Sequence, residues 1–420
     1  MYKKEILKNG IRLITVPMPA TQTFTILVMV AAGSRHENKS NNGISHFLEH
    51  MIFKGTPKRP DTLAISSELD GIGGEFNAFT SKEYTGYYVK VDGRQASRAI
   101  SVLGDILINS KFDGREIERE RGVIIEEINM YDNNPMIKID DLFEECLYGD
   151  TPSGWDTIGT KENIQKISRA EIVKYWRGHY QGRNIIAGAA GSYQARDLAL
   201  VKKLFAEIIA GKKNEADNNS EAQTSPRVKI KKQKTAQVNL SLGARACGYH
   251  HQDYDAVKLL GVVLGGSMSS RMFISVRERQ GLAYQIHTQT EGYKDSGYLT
   301  TTMGTSADKV ERAVAAVLSE YKKISRQDVP DQELKKAKDY ICGKTTLYLE
   351  SSDNMASWFL RQEALDRKVA TPAEHFAKIE KITAADIKRV AGDIFKNHNL
   401  NLAGIGYDLN EKKLKKALKL

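Results

Sequence analysis

The stretch GISHFLEHMIFKG, residues 43–55, holds two histidines four positions apart with a glutamate beside the second. On an α-helix this spacing puts the imidazoles of His46 and His50 on one face, one turn apart, where both can bind a single metal ion. Glu49 lies near the same face, and a carboxylate there can take a proton from a metal-bound water. The stretch therefore predicts a metal-binding helix with a built-in base.

The alternative is a helix with two ordinary histidines and a solvated glutamate. With nine histidines among 420 residues, a specified His-x-x-Glu-His arises by chance in about one such chain in a hundred. The flanking residues favour a helix, because Asn41 or Asn42 can cap its start and Gly55 follows its end.

A catalytic zinc site needs a third protein ligand and an open fourth position for water. The helix predicted for residues 116–131 offers such a ligand. At about 100° per residue, Glu120 and Glu127 fall on the same stripe as the isoleucines, whereas Glu126 points almost the opposite way. Two inward carboxylates are costly unless paired, and a metal ion with hydrogen-bonded ligands would pair them. Two alternatives stay open: another register of the helix, or neutralisation by one of its arginines.

A polar stretch divides the chain into halves of similar length. Residues 211–226, GKKNEADNNSEAQTSP, have the composition of a linker between residues 1–210 and residues 227–420. Strand-like and amphipathic helical segments follow in a similar order in both halves, which predicts a duplicated α+β unit. We expect two homologous α+β domains in tandem, each an antiparallel sheet flanked by helices. The second half has no counterpart of HFLEH, so the first alone would carry the chemistry.

The composition of the chain indicates the cellular compartment and the classes of partner that we expect. No stretch approaches the roughly 18 apolar residues of a membrane helix, and no signal peptide is recognised. Three widely spaced cysteines suit reduced thiols in a cytoplasmic protein better than disulfides. The net charge of +10 is interpreted as a solubilising surface charge, since the lysine-dense runs at 229–234 and 412–419 lack interleaved aromatics. We expect neither a membrane nor a nucleic-acid partner.

Longer stretches resemble a known family. The segments GISHFLEHMIFKGTPKRP, GGEFNAFTSKEYTGYYVKV, IERERGVIIEEI and LGGSMSSRMFISVRERQGLAY are similar to signature stretches of the M16 (pitrilysin/insulinase) metallopeptidases. The resemblance covers nearly the whole chain and is closest to the short, M16B-type processing peptidases, such as the catalytic subunit of the mitochondrial enzyme. Processing peptidases usually have Arg where this chain has Glu126. The resemblance implies two domains that together form half of a clamshell chamber.

The resemblance also implies roles at the metal site. His46, His50 and Glu127 would be the ligands of one Zn²⁺ per chain, and Glu49 would be the general base. Glu120 matches a supporting glutamate seven residues before the third ligand.

Substrate contacts are implied in both halves. Asn77, Ala78 and Phe79 match an edge strand beside the metal, to which the family adds extended peptides as a further strand. Arg277 and Tyr284 keep the spacing of an Arg–Tyr pair that, in long members, reaches the substrate carbonyl.

The expected activity is therefore that of a zinc metalloendopeptidase that hydrolyses peptides or unfolded polypeptide segments enclosed in a chamber. Long relatives carry four of the repeated units and this chain two, so we expect a homodimer. The alternative is a non-catalytic subunit or scaffold of the same fold, although relatives of that kind lack an intact HFLEH.

Overall fold

The computed structural model describes residues 2–215 and 223–420, and these divide into two units. Unit 1 consists of residues 2–129, 156–215 and 346–371, and unit 2 of residues 130–155, 223–345 and 372–420. Each unit is therefore assembled from both halves of the sequence. Of the predicted linker 211–226, residues 216–222 lie outside the described residues.

The strands, in chain order, are β1 (Lys3–Ile6), β2 (Arg12–Pro17), β3 (Thr23–Val30), β4 (Glu75–Thr80), β5 (Thr85–Asp92), β6 (Ile185–Gly191), β7 (Arg227–Lys231), β8 (Val238–Ala246), β9 (Gln285–Gly292), β10 (Gly297–Thr305) and β11 (Leu400–Ile405). The α-helices are α1 (Ile44–Ile52), α2 (Thr62–Asp70), α3 (Ala96–Asn109), α4 (Gly114–Asp132), α5 (Pro135–Tyr148), α6 (Lys161–Lys166), α7 (Arg169–His179), α8 (Ala195–Phe205), α9 (Tyr254–Gly265), α10 (Val310–Arg326), α11 (Asp331–Tyr348), α12 (Ser352–Ala364), α13 (Pro372–Lys381), α14 (Ala384–Ile394) and α15 (Glu411–Ala417). A π-helical turn spans Phe273–Glu278.

The two sheets share one topology. The sheet of unit 1 has the order β1-β2-β6-β3-β5-β4, and that of unit 2 has the order β7-β11-β8-β10-β9. In both, one parallel pair (β2 with β6, β7 with β11) is followed by antiparallel pairs. Without β1, the strands of unit 1 match those of unit 2 one for one in chain order, in sheet order and in direction. This agreement supports duplication of an ancestral unit.

The central strand β3 explains how the sheet of unit 1 is covered. Its sequence TFTILVMV is apolar at almost every position, as expected of a strand with helices on both faces. Leu27 and Met29 pack in one cluster with Phe359 and Leu360 of α12, while α3 also contacts β3 and β5. The helix α12 lies close to β6. A Cβ added at Gly188 of β6 would lie only 2.4 Å from the side chain of Leu360. The small residues of IIAGAAG in β6 therefore make room for this helix.

Two helices belong to the unit opposite to the one that their position in the sequence suggests. The helix α5, from the first half of the chain, packs on β8 and β11 of unit 2. There Leu142 and Phe143 join a cluster with Tyr298 and Ile405. In return α12, from the second half, covers β3 and β6 of unit 1.

The expectation of two tandem α+β units is confirmed, with one difference in detail. Each sheet is mixed and not antiparallel throughout, because β6 and β11 each pair in parallel with the first matching strand of their unit. None of the helices in the described parts of the chain has the length and apolar character needed to cross a membrane.

Candidate metal centre

The helix α1 carries the predicted metal-binding residues on the side away from its core. Phe47, Leu48 and Met51 are completely buried in unit 1. His46 and His50 are only partly buried, and their ring centroids are 4.7 Å apart. The apolar face thus fixes the helix, and the two imidazoles project from its border.

The start of α1 is held by Glu37, which no motif in the sequence marks as a cap. The backbone N–H groups of Gly43 and Ser45 each donate to the carboxylate of Glu37 at 2.8 Å. Asn42 donates to the same carboxylate at 3.0 Å, and no side chain caps the helix from the N-cap position, Gly43. The expectation that Asn41 or Asn42 caps α1 is therefore wrong. Burial raises the pKa of Glu37, although its hydrogen bonds oppose that rise.

The helix α4 provides the carboxylates. Ile117, Ile124 and Ile128 are buried on the face of α4 that the sequence pattern predicts. Glu120 is buried on the same face. Glu127 lies at the border of this stripe with its side chain 22% exposed. Glu126 is exposed and lies on the other face of α4, so only Glu127 of this adjacent pair reaches α1.

Three ligand atoms converge between α1 and α4. Glu127 Oε2 lies 3.7 Å from His46 Nε2 and 3.5 Å from His50 Nε2, and one ligand atom from each residue lies within 4.8 Å of the other two. Tetrahedral ligands bound at about 2.1 Å from a zinc ion are about 3.4 Å apart. The two nitrogens and one carboxylate oxygen therefore fit a zinc ion, with one position left for water. Among the described residues, this is the only group of three or more such side chains close enough to share an ion.

The far side of the His50 ring is also held. His50 Nδ1 donates to Glu120 Oε2 at 3.0 Å, and Lys54 Nζ lies 2.5 Å from Glu120 Oε1. This contact keeps the Nδ1 proton on the side of Glu120, so that Nε2 is the ring nitrogen that faces Glu127 and His46. Burial lowers the pKa of His50, but the hydrogen bonds to Glu120 and Glu127 outweigh burial and raise it to about 9.

The environment of His46 is different. Its pKa is lowered to about 4, first by burial and then by the neighbouring His50. Within the described parts of the chain, no partner lies within hydrogen-bonding distance of His46 Nδ1. The neutral form of this imidazole, which is the form that binds metals, is therefore favoured at ordinary pH.

Glu49 faces a hydroxyl group. Thr80 Oγ1, at the end of β4, donates to Glu49 Oε2 at 2.5 Å. Burial raises the pKa of Glu49, and the Thr80 hydrogen bond opposes that rise. A partly buried carboxylate beside three candidate metal ligands has the environment of a general base.

The predicted peptide-binding segment lies in β4, at one edge of the described sheet of unit 1. Asn77 is exposed, and its side-chain oxygen accepts a hydrogen bond from the Ala78 N–H at 2.8 Å. Phe79 is half-buried and lies over Gly86, where an added Cβ would come within 2.2 Å of the ring. Any larger residue opposite Phe79 would push its ring out of this position.

The predicted Arg–Tyr pair lies in unit 2. The Arg277 guanidinium, on the π-helical turn, is 4.5 Å from the ring centre of Phe273 and 5.8 Å from that of Tyr284. Tyr284 is 74% exposed. The two residues therefore form one cation–π contact with an accessible phenol.

Sequence relatives decide the family. Residues 12–161 match the family described as Insulinase (Peptidase family M16), and residues 166–341 match the Peptidase M16 inactive domain. An uncharacterized zinc protease of Bacillus subtilis is 34% identical over 93% of this chain and 94% of its own length. Another, from Streptomyces coelicolor, is 30% identical over 93% of this chain and 87% of its own length. The chain belongs to peptidase family M16.

Solved structures share the M16 fold over almost the whole chain. A protease from Helicobacter pylori superposes with a TM-score of 0.90 at 22% identity, covering 97% of this chain and 99% of its own. A chain of complex III2 from Candida albicans superposes with a TM-score of 0.86 at 17% identity, covering 100% of both chains. The fold therefore occurs both in a protease and in a chain of complex III2, so the function has to be argued from the residues of the site.

Three contacts at this M16 site are not evident from the sequence: those made by Glu37, Lys54 and Thr80. Only Lys54 carries a local signal, since it follows His50 by four positions, but it lies beyond the end of α1. Glu37 precedes the helix in a loop, and Thr80 comes from a strand 31 residues after Glu49.

Proposed function

We propose that this chain is a zinc-dependent endopeptidase with one Zn²⁺ per chain, held by His46, His50 and Glu127. The observation that supports this most directly is that one ligand atom from each of these three residues lies within 4.8 Å of the other two. The names of the relatives, zinc proteases, agree with it.

Zinc bound there would supply Lewis acidity to the scissile carbonyl and to the attacking water. Glu49 takes the proton from that water and returns it to the leaving amine. The burial that raises the pKa of Glu49 brings it closer to the range in which a carboxylate can both accept and release a proton. Glu120 and Lys54 keep His50 in the correct tautomer and orientation.

The peptide binds as an extended strand along β4. An edge strand offers unpaired backbone groups, and adding a strand there uses main-chain hydrogen bonds that are independent of sequence. The Ala78 N–H would exchange its bond with the Asn77 side chain for one with the substrate. Asn77, Ala78 and Phe79 are the contact residues of this proposal.

Arg277 and Tyr284 are proposed to stabilise the oxyanion that forms on the scissile carbonyl, in their own chain or in a partner's. A guanidinium and a phenol are both suitable donors for this role. Their mutual contact and the exposure of Tyr284 are consistent with a pair that acts together.

The substrates are proposed to be peptides or unfolded segments, enclosed in a chamber that two chains form as a homodimer. A cytoplasmic location is part of this proposal, because three widely spaced cysteines suit reduced thiols better than disulfides. Sedimentation of the active species tests the assembly, and a strictly monomeric active form would contradict it.

The central test compares Glu49→Gln with Glu126→Gln. Both variants and the wild type are assayed for bound zinc and for cleavage of an unstructured peptide, with and without a chelator. We expect Glu49→Gln to keep zinc and lose turnover by at least about 100-fold, because the base is absent. Glu126→Gln, on the exposed face of α4, should match the wild type. Full activity in Glu49→Gln would refute the assignment of the base.

The competing proposal is a non-catalytic subunit, and the shared fold with a chain of complex III2 is the observation that favours it. Such a subunit has no need of three converging ligand atoms and a partly buried carboxylate beside them. A zinc-free chain without peptidase activity would support this alternative.

A further inference from the structure

We propose that Thr80 is a positioning residue for the general base: its hydroxyl holds the Glu49 carboxylate in the orientation needed for proton transfer. This inference rests on the proposed function and adds to it a residue outside the metal ligands and their supports. It also assigns β4 a second task besides binding the peptide.

The contact itself is a hydrogen bond between two side chains. Thr80 Oγ1 lies 2.5 Å from Glu49 Oε2, and the hydroxyl donates to the carboxylate. A threonine hydroxyl has a single proton to donate, so this bond defines which oxygen is held. Oε1 of Glu49 is then the oxygen left to accept a proton from water.

The position of Thr80 is fixed by the turn that follows it. The N–H groups of Ser34 and Arg35 donate to the carbonyl oxygens of Ser81 and Lys82 at 3.1 and 2.8 Å. Beneath the turn, Arg35 and Glu83 form an ion pair at 2.7 Å with both side chains at most 3% exposed. A buried, hydrogen-bonded ion pair of this kind specifies one geometry, because either partner alone would be an unpaired buried charge.

The same segment anchors both partners of the hydrogen bond. Residues 33–37 hold the turn after Thr80 through Arg35 and hold the start of α1 through Glu37. The strand β4 and the helix α1 are thus fastened to one short loop, and Thr80 and Glu49 are placed relative to each other through it. A hydroxyl fixed in this way can orient a base without moving itself.

The arrangement also links the base to the substrate. The peptide would pair with the backbone of β4, and Thr80 is the last residue of that strand. A substrate strand in register with β4 is therefore in register with the carboxylate that Thr80 holds. A displacement of about 1 Å in such a group can cost about 100-fold in rate.

A plain structural role predicts a different outcome. If Thr80 only packs the end of β4, its methyl group matters and its hydroxyl does not. Valine keeps the shape and removes the hydroxyl, whereas serine keeps the hydroxyl and removes the methyl group. Thr85 pairs with Thr80 across the hairpin, and its hydroxyl donates to the carbonyl of Ala32 at 2.9 Å. Thr85→Val is therefore the matched control for loss of a threonine hydroxyl in this hairpin.

The experiment measures kcat, KM and zinc content for Thr80→Val, Thr80→Ser, Thr85→Val and the wild type. We expect Thr80→Val to lose about 10- to 100-fold in kcat with KM and zinc unchanged. Thr80→Ser and Thr85→Val should stay within about threefold of the wild type. Wild-type kcat in Thr80→Val would overturn the proposal, and so would a loss in Thr80→Ser as large as that in Thr80→Val.

A second measurement does not depend on activity. A crystal structure of Thr80→Val should show the Glu49 carboxylate turned from its wild-type position, with His46 and His50 unmoved. An unmoved carboxylate would overturn the inference even if the wild type proved inactive. Absence of zinc-dependent cleavage by the wild type would instead refute the proposed function, so the two failures are distinguishable.

Discussion

Replacing Glu120 by glutamine should weaken zinc binding without removing any ligand. The Glu120 carboxylate accepts from His50 Nδ1 at 3.0 Å and pairs with Lys54 at 2.5 Å. A glutamine has one acceptor oxygen, so it can serve one of these donors while its NH₂ group faces the other. A lost hydrogen bond to a charged group is worth about 1.5–3 kcal/mol. This corresponds to about 10- to 100-fold in affinity, which is also the usual cost of removing the partner of a metal-binding histidine.

The assay is competition for zinc between the protein and a chromophoric chelator, at a fixed pH and ionic strength. Glu126→Gln is the control, because it makes the same substitution on the exposed face of the same helix. Denaturant unfolding of each variant shows whether the fold is intact. A dissociation constant for Glu120→Gln within threefold of the wild type would refute the reasoning that Glu120 supports zinc through His50.

Three further outcomes follow from the same geometry. Zinc at 100 times its dissociation constant should add about 2.7 kcal/mol to the free energy of unfolding, which is measured as a higher Tm. A chelator or Glu127→Ala should abolish this increase in Tm. An unchanged Tm would exclude tight binding of zinc to the folded chain. Because the pKa of His50 is raised to about 9, zinc must displace a proton. Affinity should then rise about tenfold per pH unit between pH 6 and 8, with about one proton released at pH 6 in calorimetry across several buffers; a pH-independent constant would contradict this. Glu37→Gln presents an NH₂ group to donors such as the Gly43 N–H, so the free energy of unfolding should fall by about 1–3 kcal/mol in urea; wild-type stability would show that the cap contributes little.

The proposed third ligand, Glu127, illustrates what the sequence can predict. Choosing Glu127 over Glu126 needs only the rotation of about 100° per residue and the phase set by Ile124 and Ile128. The helix and its buried face can both be predicted from one continuous segment of sequence, without knowledge of the rest of the fold. The burial of these isoleucines and the exposure of Glu126 follow that phase.

Contacts between distant segments could not be predicted in the same way. The hydrogen bond from Thr80 to Glu49 joins a strand to a helix and depends on how the turn after Thr80 docks on Arg35. The cap from Glu37 depends on the conformation of a loop, which has no periodicity in the sequence. Asn42, directly before the helix, is a residue type that often caps helices, and the sequence therefore favours it. Periodicity likewise indicates that α5 and α12 are amphipathic but does not specify which sheet each one covers.

The placement of α5 and α12 has a consequence for the history of the chain and for its dissection. The helices α5 and α12 are exchanged between the two units, as equivalent elements are exchanged between protomers in domain swapping. Here the two copies are fused into a single polypeptide. If the chain were cut at residues 211–226, the apolar side chains of α5 in the first fragment, including Leu142 and Phe143, would lose the sheet that they cover. The same fragment would expose the apolar surface around Leu27 and Met29, which α12 covers in the intact chain. Neither fragment should be self-sufficient, and co-expressed fragments should complement each other as the ancestral swapped pair would have done.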